Sequence, residues 1–215
     1  LKHDEGKEGA RLMIDMVAVN REVERGRAEL AASSEGILGI AQRQRIWVAM
    51  DDPDDPEASY RHRTYLKIAC VRHVQHYWDR TFPSNPGVEE MLALTQALID
   101  RKADPDQAEK QAYEFFDDIM AHTNVTPDLE PAIRVADAAS KTVFSACCRN
   151  PDYDTAEDED DDDELLPDAL EPSYSCASAA AGGMNWQPAE ELDIEARRAF
   201  WTWYLDEAIP WALTT

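Results

Sequence analysis

Glycine is scarce in this chain: eight residues in 215. None of them falls into the G-x-G-x-x-G or G-x-x-x-x-G-K pattern that cradles phosphates, and there is no G-x-S-x-G nucleophile turn. Nucleotide-binding loops and α/β-hydrolase chemistry are thereby set aside. Period-two alternation of apolar and polar residues is missing too, as are hairpin dipeptides and internal repeats, which argues against a sheet. No apolar run is long enough to span a bilayer; the early run Leu12–Val19 is short and broken by Asp15. No secretory leader is visible, although a chain that opens on Leu rather than Met reads as trimmed, which leaves a leader open. The four cysteines, Cys70, Cys147, Cys148 and Cys176, form no C-x-x-C and no metal-type pairs of pairs. Adjacent Cys147 and Cys148 would make only a strained disulfide with each other. The expectation is reduced, mostly buried thiols in a cytoplasmic protein.

Positive charge is the other shortage. Twenty-one Lys and Arg stand against 44 Asp and Glu, a formal net charge of −23. From Asn150 to Glu195 there are sixteen acids and no Lys or Arg. Phosphate contacts need cations, so direct binding to nucleic acid or to an anionic membrane is not expected, whereas a basic protein partner is. Within that segment Glu157–Glu164 is an unbroken run of eight acids. Such a run repels itself, and residues 152–164 are read as a surface loop inserted in a single domain spanning 1–215. Asp158, Glu159, Asp160, Asp161, Asp162 and Asp163 are the candidate partner-binding residues.

What the chain does contain is helical periodicity, with an ordinary 44% of hydrophobic residues to form a core. Helices are expected over Gly9–Ala32, with Met13, Met16, Val17, Val23 and Leu30 inward, over Ile37–Met50, with Trp47 and Val48 inward, and from Ser59 to about Arg80. Asn85-Pro86, Asp104-Pro105 and Thr126-Pro127 each open a further helix. The inner face of the last of these (Ala132, Val135, Ala136, Ala139, Val143, Ala146) is so small that neighbours can approach closely, which places it centrally. Ser173–Ala181 is a short helix closed by Gly182-Gly183. The whole reads as an all-α domain of about seven to eight helices.

The stretch Arg197–Trp211 organises the rest. It holds three of the six tryptophans, and on a helical wheel its apolar residues cover more than half the circumference, so it is packed on several sides. Phe200 and Trp203 are expected in the core. Arg197 and Glu207 project into the apolar arc about 15 Å apart, too far to pair with each other. Each needs a partner elsewhere; for Glu207, Arg45 and Arg72 are the leading candidates. A catalytic Glu207 is the less favoured reading, since nothing nearby supplies a second catalytic group.

Other residues invite chemistry without completing it. His73 and His76 lie three apart on one helix, near enough to share a metal, but no third ligand follows from the sequence. Cys147 or Cys148 could be nucleophilic beside Arg149, yet both sit on a small-residue packing face where an inert thiol is the better reading. The arginines Arg43, Arg45, Arg61, Arg63, Arg72 and Arg80 are expected to pair with acids rather than form a nucleic-acid face. No catalytic residue, metal site or cofactor is assigned.

Two blocks have a familiar order. One is Leu66-Lys-Ile-Ala-Cys70-Val-Arg-His73-Val-Gln-His-Tyr-Trp78 with Phe82-Pro83. The other joins Ala177-Ser-Ala-Ala-Ala-Gly182-Gly183-Met-Asn-Trp186 to Arg197-Arg-Ala-Phe200-Trp201-Thr-Trp203-Tyr204-Leu205-Asp-Glu207-Ala208-Ile-Pro210. Together, over roughly Arg45 to Trp211, they resemble an all-α family of immunity proteins from bacterial polymorphic toxin systems. Trp78, Arg197, Phe200, Trp201, Trp203, Glu207 and Pro210 carry most of the likeness. The resemblance implies a cytoplasmic, noncatalytic protein that binds and neutralises a cognate toxin domain; a basic nuclease would suit the charge. It supplies no catalytic residues, and the acidic insertion has no counterpart in it. The alternatives are an acidic regulator or nucleic-acid mimic that binds a basic host protein, and a small helical enzyme.

Overall fold

Aspartate followed by an open turn, and proline at a first helical position, decide where these helices start. The computed structural model describes residues 14–150, 162 and 171–215. Asp15 caps α1 (Met16–Ala32), accepting from the N–H groups of Val17 and Ala18 at 3.0 and 3.1 Å. Asp55 caps α3 (Pro56–Thr81) and Asp104 caps α5 (Pro105–His122), each with proline at the first position, where a missing N–H costs nothing. The other elements are α2 (Ile40–Met50), α4 (Gly87–Ile99), α6 (Glu130–Cys147) and α7 (Pro172–Ala181). The last helix runs through α8 (Ile194–Trp203), a π-helical turn (Tyr204–Ala208) and α9 (Ile209–Ala212). Among the described residues there are thus eight helices, the last in three parts, and no strand. The fold is all-α.

The small-residue helix is the axis, as its composition implies. α6 is buried from Ala132 to Ala146 apart from Arg134 and Phe144, and packs against α3, α4, α5 and α7. Alanine at Ala132, Ala136 and Ala139 lets those neighbours approach closely. α7 is buried almost all round as well, and ends on Gly182 in the left-handed region at φ 79°. Several of the polar groups buried around these two helices are paired. Asp137 accepts from Lys141 at 3.1 Å and from Ser175 at 2.6 Å, and Lys67 donates to Ser145 at 2.6 Å.

Several expected boundaries and faces need correction. The first helix starts at Met16, not Gly9, because Asp15 takes the cap; residues 9–13 and Met13 lie outside the described set. Its buried stripe is Val19, Val23, Gly26 and Leu30, while Met16 and Val17 are exposed on its first turn. In α2, which begins at Ile40 rather than Ile37, Val48 faces solvent. The third helix begins at Pro56, earlier than Ser59, since Asp55 caps it by accepting from the Ala58 N–H. The sixth begins at Glu130, after a turn over Thr126–Leu129.

Candidate partner-binding surface

The C-terminal helix fixes the inner frame. Arg198 reaches the last turn of α1, donating to the carbonyls of Leu30 and Ser33, the latter at 2.7 Å. A guanidinium at a helix C-terminus satisfies carbonyls that have no helical partner. Arg197, buried beside it, donates to the Glu35 carbonyl at 3.4 Å. Both arginines therefore hold the α1–α2 turn. Gly36 in that turn has φ 66°, and a Cβ there would meet the Ile194 carbonyl oxygen at 2.9 Å, so the turn can sit this close only as glycine. The polar strip of the C-terminal helix faces α1: Asp206, in the π turn, accepts from Arg27 Nε at 2.8 Å.

Trp201 and Phe200 are buried, and Tyr204 below them accepts from Trp47 Nε1 at 2.8 Å. Trp78 is buried on α3, where its indole donates to the Asn85 carbonyl at 2.9 Å and pins the α3–α4 turn. Trp203 is not a core residue. It is half-buried at the edge, its ring stacked on His73 at 3.8 Å and 15°. Nor, among the described residues, is Glu207 paired with an arginine. It is exposed, Arg45 is bound to Glu29 at 2.8 Å, and Arg72 is bound to Glu89 at 2.7 Å. The cause is the π turn. Pro210 has no N–H, and its ring would press on the carbonyl four residues back in a regular α-helix. The wider turn, closed by Ile209 N–H to the Tyr204 carbonyl, relieves this and inserts a residue. The wheel loses phase there, which takes Glu207 out of the apolar arc and leaves Pro210 and Trp211 exposed.

Arg43 is the most deeply buried cation among the described residues. It is wholly enclosed, lies over Trp201 (5.1 Å) and Trp47 (5.7 Å), and grips Asp162 through two bonds of 2.8 and 2.6 Å. Asp162 therefore belongs to the interior and is not open to a partner, a correction for one of the six acids singled out. A carboxylate in an acidic run is drawn inside because it meets a desolvated guanidinium in bidentate geometry. The sequence held the signal, an arginine four residues from a tryptophan on one helix face, but not the identity of the acid. Asp158, Glu159, Asp160, Asp161 and Asp163 lie outside the described residues.

The residues that invited chemistry are occupied otherwise. Among the described residues, no three of His, Cys, Asp and Glu converge as metal ligands. His73 is exposed overall but has one ring face covered by Trp203, and the loss of solvent there, helped by His76 and opposed by Glu207, lowers its pKa. Burial, with Glu109 next in effect, pushes the Cys147 thiol up to about 11, and burial raises Cys70 and Cys176 well above the ordinary range. These thiols are the reverse of activated nucleophiles.

Two surface features remain. An open groove of about 380 Å³ runs along α8 and the π turn, lined by Glu195, Thr202, Trp203 and Glu207 among others. Elsewhere, α5 buries only Ala108, Ala112 and Ile119 and leaves Tyr113 and Met120 exposed at 51% and 45%. Sequence reading passed over the outer face of α5, although the signal was there: Tyr113 and Met120 lie seven apart, on one helix face.

An all-α frame whose internal polar groups hold helices together, and whose exposed aromatic residues stand among carboxylates, is built like a protein-binding module. The family model of the immunity protein Imm5 matches residues 23–211, and the chain belongs to that family. No curated protein matches the chain. Among the described residues, no helix is long and apolar enough to cross a membrane.

Proposed function

We propose that this protein binds a cognate toxin domain inside the producing cell and neutralises it by occupying it, without chemistry of its own. Membership of the Imm5 immunity protein family over residues 23–211 carries this reading. The placement of the reactive residue types supports it: thiols raised by burial, arginines engaged with backbone or acids, and a histidine stacked under tryptophan. The charge of −23 favours a basic partner, of which a nuclease domain is the natural case.

Coexpression with the toxin domain encoded beside it is the test. Rescue of growth should accompany a stable complex of the two purified chains. Rescue without a complex, or loss of toxin on incubation with the purified protein, would replace this reading with an enzymatic one. A second reading, an acidic mimic that binds basic host proteins, draws on the sixteen acids between Asn150 and Glu195. It requires binding to host nucleic-acid-binding proteins as tight as binding to the neighbouring toxin.

A further inference from the structure

We infer that the outer face of α5 is where the toxin docks, and that the toxin meets it with a basic surface built around an apolar or aromatic pocket. This rests on the toxin-binding reading and adds the face and the chemistry of the partner.

α5 is an edge helix. Its three buried residues, Ala108, Ala112 and Ile119, form a narrow strip against the rest of the fold. At 100° per residue, Met120 falls about 20° from Tyr113 on the wheel. Asp106, Glu109 and Asp117 fall within about 40° of the same line, and Phe116 at about 60° on the side toward the buried strip. One helix face thus carries two large exposed apolar side chains with three exposed carboxylates around them. Beneath it, Tyr113 rests on Phe144 of α6 with ring centroids 4.4 Å apart, so the tyrosine is held in place before any partner arrives. A positioned tyrosine beside an adaptable methionine, rimmed by charge, is the composition of an interface centre.

The carboxylates say what covers it. Asp106, Glu109 and Asp117 have no cation paired with them among the described residues, whereas Glu114 has Lys110. A second copy of this chain would bring the same acidic face and a further −23 against it. Nucleic acid and anionic lipid are repelled for the same reason. A protein surface carrying Lys and Arg is attracted, and its desolvation of Tyr113 and Met120 supplies the short-range part. The groove at Trp203 is the weaker candidate, because Asp206 there is already bound to Arg27 and Trp203 is half covered by His73.

The experiment uses the full chain and the catalytically inactivated toxin domain from the neighbouring gene, with affinity and association rate measured at two salt concentrations. Met120→Arg and the pair Tyr113→Ala/Met120→Ala should each weaken binding by about tenfold or more. Asp106→Asn/Glu109→Gln/Asp117→Asn should slow association and flatten its salt dependence. Melting temperatures close to that of the parent check that the variants fold, and Met120→Arg, at an exposed position, guards against loss of the Phe144 contact being mistaken for loss of binding. If the parent forms the complex but all these variants bind within twofold of it, α5 is not the docking face; weakening by Glu207→Lys instead would move the site to the groove. A parent dimer dissociated by Met120→Arg would make the occupant a second copy and overturn the inference. A parent that forms no complex at all overturns the toxin-binding reading, and this inference with it.

Discussion

Arg43 and Asp162 are 119 residues apart in sequence and face each other through two hydrogen bonds of 2.6 and 2.8 Å, both side chains buried. The pair ties a point in the acidic segment to α2 and the C-terminal helix at once, because Trp47 and Trp201 form the walls around the guanidinium. Removing one member strands the other in a dry interior. Asp162→Ala should therefore cost about 3–5 kcal/mol, and Arg43→Met/Asp162→Leu should recover most of it, since two apolar groups leave no charge behind. Urea denaturation of the three proteins measures this. If the single and double variants are equally destabilised, the desolvated ion is not what the pair protects.

The aromatic residues of the C-terminal helix should separate by burial. Phe200→Ala removes a side chain that is 1% exposed and should cost about 3–5 kcal/mol. Trp203→Ala removes a half-buried ring whose main partner is the His73 imidazole, and should cost about half as much or less. Equal shifts in the denaturation midpoint would put Trp203 back into the core.

The contrast between these two residues shows what could be read from the chain and what could not. The all-α class, the central place of α6 and the αL end of α7 follow from local chemistry: small residues at helical spacing, and glycine after the last turn. Phe200 was legible for the same reason; Trp203, also ahead of the π turn, was not, because a wheel gives a residue's direction and not what covers it. Glu207 was not, because a wheel assumes one constant period and Pro210 breaks it upstream of itself. Arg43 could be seen to need an acid, but with sixteen acids between Asn150 and Glu195 nothing local selected Asp162. The face of α5 was legible in principle, since Tyr113 and Met120 sit on one wheel line, but a wheel does not tell an exposed apolar side chain from a buried one.

His73 gives the fold a dependence on pH with a definite sign. Loss of solvent lowers its pKa below the ordinary 6.5, and His62 is lowered by burial and by Arg61. The unfolded chain therefore binds protons first as the pH falls, so stability is highest above about 6.5 and declines on acidification until the folded-state values are passed. The depressed carboxylates Glu22, Glu57 and Glu89 add their own loss only below the ordinary 4.5, outside this window. His73→Phe keeps a flat ring against Trp203 and removes one titrating group. Between about pH 7.5 and 5.5 its stability should fall less than that of the parent, and His62→Gln/His73→Phe should fall less again. A parent curve that is level through this range, or a variant that declines more steeply, would show that these histidines do not titrate as their surroundings require.

The acidic run can be tested for recognition only if Asp162 is left in place. Glu157–Glu164 holds eight acids, and Asp162 is the one engaged with Arg43. Replacing the whole run would mix a loss of stability with any loss of steering. We therefore propose Asp158, Glu159, Asp160, Asp161 and Asp163 as the group that attracts a basic toxin, and their joint replacement by Ser and Gly as its test. Charges that act at a distance change the rate of encounter, weaken steeply with salt and leave dissociation almost untouched. The expected result is slower association at low salt, a flatter salt dependence, an unchanged dissociation rate and a melting temperature close to that of the parent. Adding Asp162→Ser to the same variant should then lower stability sharply while changing the association rate little further. An association rate and salt slope equal to those of the parent would mean that the five acids serve solubility alone, and recognition would fall to the helices.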